Sequence, residues 1–287
     1  MQSLQIHTHD QQNIAAQFYP CDNAKATVVI ASALGVPQSF YRRYANFLNH
    51  QGLQCLSFDY RGTGESHYQG RLNNIDLIDW GLQDLNAVLE YAFQLTSVSA
   101  KVLFVGHSIG GQMLGMSNYA EKISAVIFIG SSAPYWKRWQ GINKLKMFFN
   151  SCVLLPVICQ FGEVFPAKKI GLSSINLPAS VISQWAAWMR DRDYFFGYQF
   201  GLDISGYKKI TAPLLSYGFD DDNFAPAINI NWLLQFYSAA NIEQRLFKSA
   251  DIGPVGHMGF FRDSFKDSLW QESADWLLQN VDRKATV

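Results

Sequence analysis

Lys101-Val102-Leu103-Phe104-Val105-Gly106-His107-Ser108-Ile109-Gly110-Gly111 is a strand-like apolar run that passes through a glycine-flanked serine into a helix-like stretch. Its centre, Gly106 to Gly110, reads G-x-S-x-G. A pentapeptide of that form arises by chance in roughly one chain of this length in ten, given about 7% glycine, so the strand before it and the helix after it carry the weight. In such a turn the serine backbone is strained, and the glycines let strand and helix approach closely. A larger side chain at Gly106 or Gly110 would clash. Ser108 is therefore the candidate nucleophile.

Further strands are expected on either side of this turn. Ala26 to Ala31, Leu53 to Phe58, Val102 to Val105, Ala125 to Ile129 and Pro213 to Tyr217 are short apolar runs of the kind that parallel strands show when both sheet faces are covered. Helical periodicity lies between them at Phe40 to His50 and Ile75 to Gln94, and a last helix spans Ser264 to Asn280. Leu4 to His9 and Ile14 to Tyr19, separated by Asp10-Gln11-Gln12, read as an N-terminal hairpin. Alternating strand and helix gives an α/β fold with a mostly parallel sheet. The alternation breaks after Gly130 for about 80 residues, too long for an unstructured connection. That stretch is rich in Trp, Tyr and Phe, with helical periodicity around Lys144 to Ile158 and Ser180 to Arg190. Residues 1–130 and 211–287 are expected to form the core, and 131–210 an inserted helical cap.

Composition bounds the partners. Lysines plus arginines equal aspartates plus glutamates at 23 each, so no basic surplus draws the chain to nucleic acid. The first ten residues lack the basic start and apolar run of a signal peptide. Val153 to Cys159, interrupted by Pro156, is far shorter than the roughly 20 residues of a membrane span, and stable membrane insertion is not expected. Cys21, Cys55, Cys152 and Cys159 form no C-x-x-C pair and lie in apolar sequence, as reduced core cysteines do. The expectation is a cytoplasmic protein with a small-molecule substrate and neither metal nor cofactor.

A serine hydroxyl attacks a carbonyl only if a base takes its proton, and histidine is the usual base. His7, His9, His50 and His67 read as surface or packing residues, and backbone geometry in the elbow turns His107 away from its neighbour Ser108. His257 sits in the loop Asp251-Ile252-Gly253-Pro254-Val255-Gly256-His257-Met258-Gly259, just before the last helix. The order serine, acid, histidine is the chain order of strand-turn-helix serine enzymes, which makes His257 the candidate base. The orienting acid is sought among Asp220, Asp221 and Asp222, after the strand ending at Tyr217. Counting back four from Pro226 selects Asp222, whereas counting forward from Gly218 selects Asp221. The proline count is preferred because it fixes the turn into the helix near Ala225.

Taken together, Gly106 to Gly111, Asp59-Tyr60-Arg61-Gly62-Thr63-Gly64-Glu65-Ser66, Asp221 to Pro226 and Gly256 to Arg262 resemble the α/β-hydrolase superfamily. More narrowly, they resemble bacterial hydrolases distantly similar to monoacylglycerol lipases and serine aminopeptidases. The resemblance spans nearly the whole chain. It implies an α/β-hydrolase fold and a serine hydrolase that cleaves an ester-like bond of a small, apolar acyl substrate through a Ser108-His257-Asp222 triad. It also implies an oxyanion hole of two backbone N–H groups. One is that of Ile109. The other lies in the loop after the third strand, where lipase relatives carry His-Gly-x; here Ser32 and Ala33 stand in those positions, and the distance to Phe40-Tyr41 places the donor at Leu34. The Asp59 to Ser66 loop is given a structural role. A peptidase or perhydrolase would use the same triad, and a non-catalytic ligand-binding relative is the reading from a different class. Ser108→Ala and His257→Ala are each expected to abolish ester hydrolysis while leaving the fold intact, because the two act as one unit. Comparable turnover by either variant would contradict the assignment.

Overall fold

In the computed structural model, which describes residues 1–96 and 101–282, the apolar run Ala26–Ala31 is a strand buried along its whole length. Among the described residues it is the third of ten. β1 (Gln2–His7) and β2 (Asn13–Tyr19) form a hairpin, followed by β3 (Ala26–Ala31), α1 (Arg42–His50), β4 (Leu53–Phe58), α2 (Asn86–Leu95), β5 (Lys101–His107), α3 (Ile109–Met113) and β6 (Ala125–Ile129). The intervening segment carries α4 (Gly141–Phe149), α5 (Leu155–Ile158), the short strands β7 (Val164–Phe165) and β8 (Leu177–Pro178), and α6 (Ala179–Arg190). Then come β9 (Leu214–Phe219), α7 (Ala227–Leu234), β10 (Ile242–Phe247), α8 (Ser249–Ile252) and α9 (Gln271–Asp282).

The central sheet runs in the order β1-β2-β4-β3-β5-β6-β9-β10, antiparallel at β1-β2-β4 and parallel from β4 onward. This is the α/β-hydrolase fold. Side chains alternate across it. Val29, Leu56, Phe104 and Phe128 pack on one face with Val88 and Leu89 of α2 and Met113 of α3. Val28, Ile30, Leu103, Val105 and Ile127 pack on the other with Tyr44 and Leu48 of α1 and Ala274 and Leu277 of α9. Both faces are dry, which is why these strands lack the polar alternation of a half-exposed sheet.

Register decides where chemistry can occur. Gly106 of β5 lies between Ala31 of β3 and Phe128 of β6, and Ile129 pairs with Tyr217 of β9. The segments that leave β3, β5, β6 and β9 therefore emerge side by side at the carboxyl end of the sheet, where open α/β sheets place their sites. The Asp59 to Ser66 loop braces this edge from below. Asp59 accepts the N–H groups of Gln38 (2.7 Å) and Glu65 (3.0 Å), tying down the segment after β3. The buried Arg61 guanidinium donates to Asp84 and to Asp10, which fastens the N-terminal hairpin to the core.

The structure departs from the expectations in identifiable places. β10 was not anticipated: Ile242–Phe247 is an edge strand with Glu243, Gln244 and Arg245 in a row, so it lacks the apolar run used to find the others. The helix expected over Ile75 to Gln94 starts later and wider, with a π-helical turn at Trp80–Leu85 before α2; the one expected from Ser264 begins with 3-10 and π turns before α9. Cys55 alone of the four thiols is fully buried; Cys21, Cys152 and Cys159 are partly exposed, and all four are free. Pro156 does not interrupt its segment. It sits in the first turn of α5, just after a π turn at Asn150–Leu154 that leaves room for the ring, and Gly141–Phe161 is one continuous helical stretch, long and apolar enough by length and composition to cross a membrane.

A Cβ placed on Gly106 would lie 2.6 Å from the Gly111 backbone. Gly106→Ala is expected to lower unfolding stability by about 2 kcal/mol or more through overpacking, whereas Gly162→Ala, which meets open space, should stay within about 0.5 kcal/mol. Urea midpoints check this; an unchanged midpoint for Gly106→Ala would contradict so close an approach of α3 to β5.

Candidate active site

Ser108 follows β5 with φ 52° and ψ −115°, a conformation that a side-chain-bearing residue rarely adopts and that costs on the order of 1–3 kcal/mol. Its N–H donates to the Ile129 carbonyl, and its own carbonyl accepts from Gly111, so the turn is pinned on both sides. α3 starts at the next residue, which points the hydroxyl out of the sheet toward the crevice.

His257 arrives from the other side, on the loop between α8 and α9. Its Nδ1 lies 2.7 Å from Asp222 Oδ2. A carboxylate only accepts, so Nδ1 carries the proton and the neutral imidazole keeps its lone pair at Nε2. The second Asp222 oxygen accepts the N–H groups of Phe224 (2.8 Å) and Ala225 (3.0 Å). Burial pushes the Asp222 carboxyl up, but the neighbouring His257 and these donors outweigh it and hold the group below the ordinary carboxylate range. Its stabilising effect is thus present above that range and lost as pH falls through the lowered value. The adjacent carboxylates have separate partners: Asp221 accepts the Gly256 N–H at 2.9 Å, and Asp220 accepts that of Ser249. Asp222 is the one that touches the imidazole. Gly130 makes room for the pair, since a Cβ there would sit 3.1 Å from Asp222 Oδ2 and 3.3 Å from His257 Nδ1.

Ser108 and His257 both line a cavity of about 330 Å³, without a hydrogen bond between Oγ and Nε2; such bonds commonly close only around substrate. Leu34 and Ile109 line the same cavity, and among the described residues neither backbone N–H donates to a protein acceptor. The N–H of Ala33, by contrast, is committed to the Tyr41 hydroxyl at 2.8 Å. The remaining walls are mostly apolar, with Gln112, Ser132, Ser173 and Ser174 as polar exceptions, and come largely from the 131–210 segment, including Trp139, Met147, Leu177, Trp185 and Met189. Nothing in the linear spacing of these residues marked them as neighbours of Ser108. No charged Asp, Glu, Lys or Arg side chain lines the cavity, and among the described residues no three His, Cys, Asp or Glu gather as a metal site requires.

His107 supplies the part that sequence reading missed. It is turned away from the cavity and completely buried. Its Nε2 lies 2.9 Å from the His257 carbonyl oxygen, which can only accept, so Nε2 is the protonated nitrogen. Nδ1 then accepts from the Tyr41 hydroxyl at 2.8 Å, and Tyr41 in turn accepts the Ala33 N–H. One directed chain of hydrogen bonds thus joins the backbone of the His257 loop to the backbone beside Leu34. Burial, with help from neighbouring His257, pushes the His107 imidazole down to about 3.

The family model described as "Serine aminopeptidase, S33" matches residues 22–185. The quorum-quenching protein AidA of Acinetobacter baumannii (strain MDR-ZJ06) is 25% identical over 251 residues, covering 78% of this chain and 79% of its own. Among solved structures, the esterase EaEST of Exiguobacterium antarcticum superposes with a TM-score of 0.63 at 19% identity, covering 98% of this chain and 100% of that one. A soluble variant of the Saccharomyces cerevisiae monoglyceride lipase, solved with a substrate analogue, gives 0.66 at 16% identity, covering 97% and 95%. At these identities the structural likeness is one of fold.

Because His107 is neutral far into acid, His107→Gln should leave the acid limb of any pH–rate profile between pH 5 and 8 in place. Measured profiles of the variant and the parent protein check this, and a limb that moves with His107→Gln would contradict the assignment of His107 as a fixed, uncharged strut.

Proposed function

Since this chain belongs to the serine aminopeptidase family of α/β-hydrolases, whose model covers residues 22–185, we propose that it hydrolyses esters of small, apolar acyl groups through an acyl-enzyme on Ser108. The observation that carries the reading is the buried Asp222 carboxylate bonded to His257, with the imidazole and Ser108 facing one apolar cavity. In this mechanism Ser108 Oγ attacks the ester carbonyl carbon while its proton passes to His257 Nε2. The oxyanion that forms is met by the N–H groups of Leu34 and Ile109, donors already free of other acceptors. Collapse of the tetrahedral intermediate breaks the bond to the alcohol, which leaves with the proton from Nε2. Water then repeats the sequence on the acyl-enzyme, returning Ser108 and releasing the acid. Asp222 stabilises the imidazolium in both halves.

Residues 131–210 act in this reading as a helical cap on a core of 1–130 and 211–287. The cap supplies the wall against which the acyl chain packs. The uncharged lining favours an ester over the N-terminus of a peptide, because an α-ammonium group taken out of water requires a carboxylate partner, and the cavity offers none.

A panel of aryl esters from acetyl to long acyl, set beside amide and lactone analogues, tests the substrate class. kcat/KM should rise by up to about fourfold for each methylene until the cavity is filled, and amides should be poor. A flat or falling series would reject the apolar pocket. Asp222→Asn should lower kcat by about 10⁴, as amide replacement does in another serine hydrolase. Asp221→Asn keeps an oxygen to accept the Gly256 N–H and should cost less than about tenfold. The reverse ranking would move the acid to Asp221.

A further inference from the structure

The helical stretch Gly141–Phe161 turns an apolar side outward. Ile142, Leu145, Phe149, Val153, Val157 and Phe161 recur three or four residues apart and are all exposed, from 40% at Val153 to 84% at Phe161. At 1.5 Å per residue the stripe runs for about 30 Å. Such a length of exposed apolar surface is unusual in a protein that keeps to water. The opposite side is held by the protein: Leu155 and Ser151 are buried, and Arg190 donates to the Ser151 carbonyl.

Charge around the stripe has one sign. Between Trp136 and Ser174 the chain carries six lysines and arginines but a single acid, Glu163, and Glu163 is bonded to Arg71. Lys144, Lys146, Lys168 and Lys169 are exposed. In a chain whose overall charge is zero, this face is a local excess of cations interleaved with apolar side chains. That combination matches the headgroup and upper acyl region of a bilayer containing anionic lipid. It opposes a second copy of the chain, since face-to-face pairing would bring like-charged lysines together.

The face is also continuous with the cavity that holds Ser108. A second cavity of about 240 Å³ lies beneath the helix and shares Met147, Leu172, Trp185 and Met189 with the first. Ile170 and Leu172, which line it, are themselves exposed. Apolar surface therefore runs from the outer rim inward.

We propose that this face is a lipid-docking surface, which lays the protein on an anionic bilayer with the Gly141–Phe161 axis in the membrane plane. The inner side of the helix is packed against the rest of the protein, with Leu155 and Ser151 buried, which opposes a spanning arrangement. An apolar acyl substrate would then enter from the bilayer side.

Co-sedimentation with phosphatidylcholine vesicles, with and without phosphatidylglycerol, tests this without any substrate, so its outcome is separate from that of the proposed hydrolysis. The full chain should bind the phosphatidylglycerol vesicles, and binding should weaken as salt rises. The double variant Leu145→Glu with Phe149→Glu should lose binding about tenfold or more. Lys144→Gln with Lys146→Gln should lose about fivefold for each lysine. Both should keep the parent melting temperature and the parent rate on a water-soluble short ester. Failure of the unmodified protein to bind, or equal binding by both variants, would overturn the proposal. So would a dimer, seen by light scattering, that the glutamate variants dissociate, because it would assign the face to a second copy.

Discussion

Close approach of α3 to the carboxyl ends of β3 and β5 is the constraint from which the site follows. Gly106, Gly110 and Gly111 each stand where a Cβ would collide with backbone or a buried side chain, and their lack of one lets the helix begin immediately after Ser108. The serine is left in a strained conformation at φ 52°. That strain, on the order of 1–3 kcal/mol, is offset by a sheet that is buried on both faces and by backbone bonds on either side of the turn. Loosening the contact would relax the serine and also move the Ile109 N–H, so the proposed nucleophile and the proposed oxyanion donor are set by the same packing.

Around this turn the polar groups are arranged so that few charges need to be buried unpaired. Asp222 accepts hydrogen bonds from His257 Nδ1 and two backbone N–H donors, so its charge is buried with partners. His107 is buried uncharged, because burial drives its proton affinity down to about 3. It joins the His257 loop to Tyr41 by hydrogen bonds. Arg61, in the loop after β4, is paired with Asp84 and Asp10. The cavity itself is left without a charged Asp, Glu, Lys or Arg, which strengthens any hydrogen bond made to a developing oxyanion within it.

Much of this was legible in the chain, for physical reasons that differ from residue to residue. Ala26–Ala31, Leu53–Phe58 and Ala125–Ile129 were readable to the residue because strands buried on both faces cannot alternate with polar residues. The elbow was readable because only glycine fits beside it. β10 was hidden, since an edge strand carries the charges that keep it from pairing with other chains. The tie between His107, Tyr41 and Ala33 was hidden too, as hydrogen bonds between residues 66 positions apart leave no local pattern. The same holds for the apolar walls contributed from 131–210, whose aromatic residues served equally well as packing until the cavity set some of them facing Ser108. Helical continuity through Pro156 depended on a π turn, which has no simple sequence mark.

The proposed mechanism stands on Ser108 as a nucleophile activated by His257. Reaction with a fluorophosphonate, followed by tandem mass spectrometry of the proteolysed chain, tests it most directly, because the reagent forms a stable bond only to an activated hydroxyl. A stoichiometric adduct is expected on Ser108, forming at least about a hundredfold more slowly in His257→Ala. No adduct on the folded protein, or one located on another residue, would contradict it.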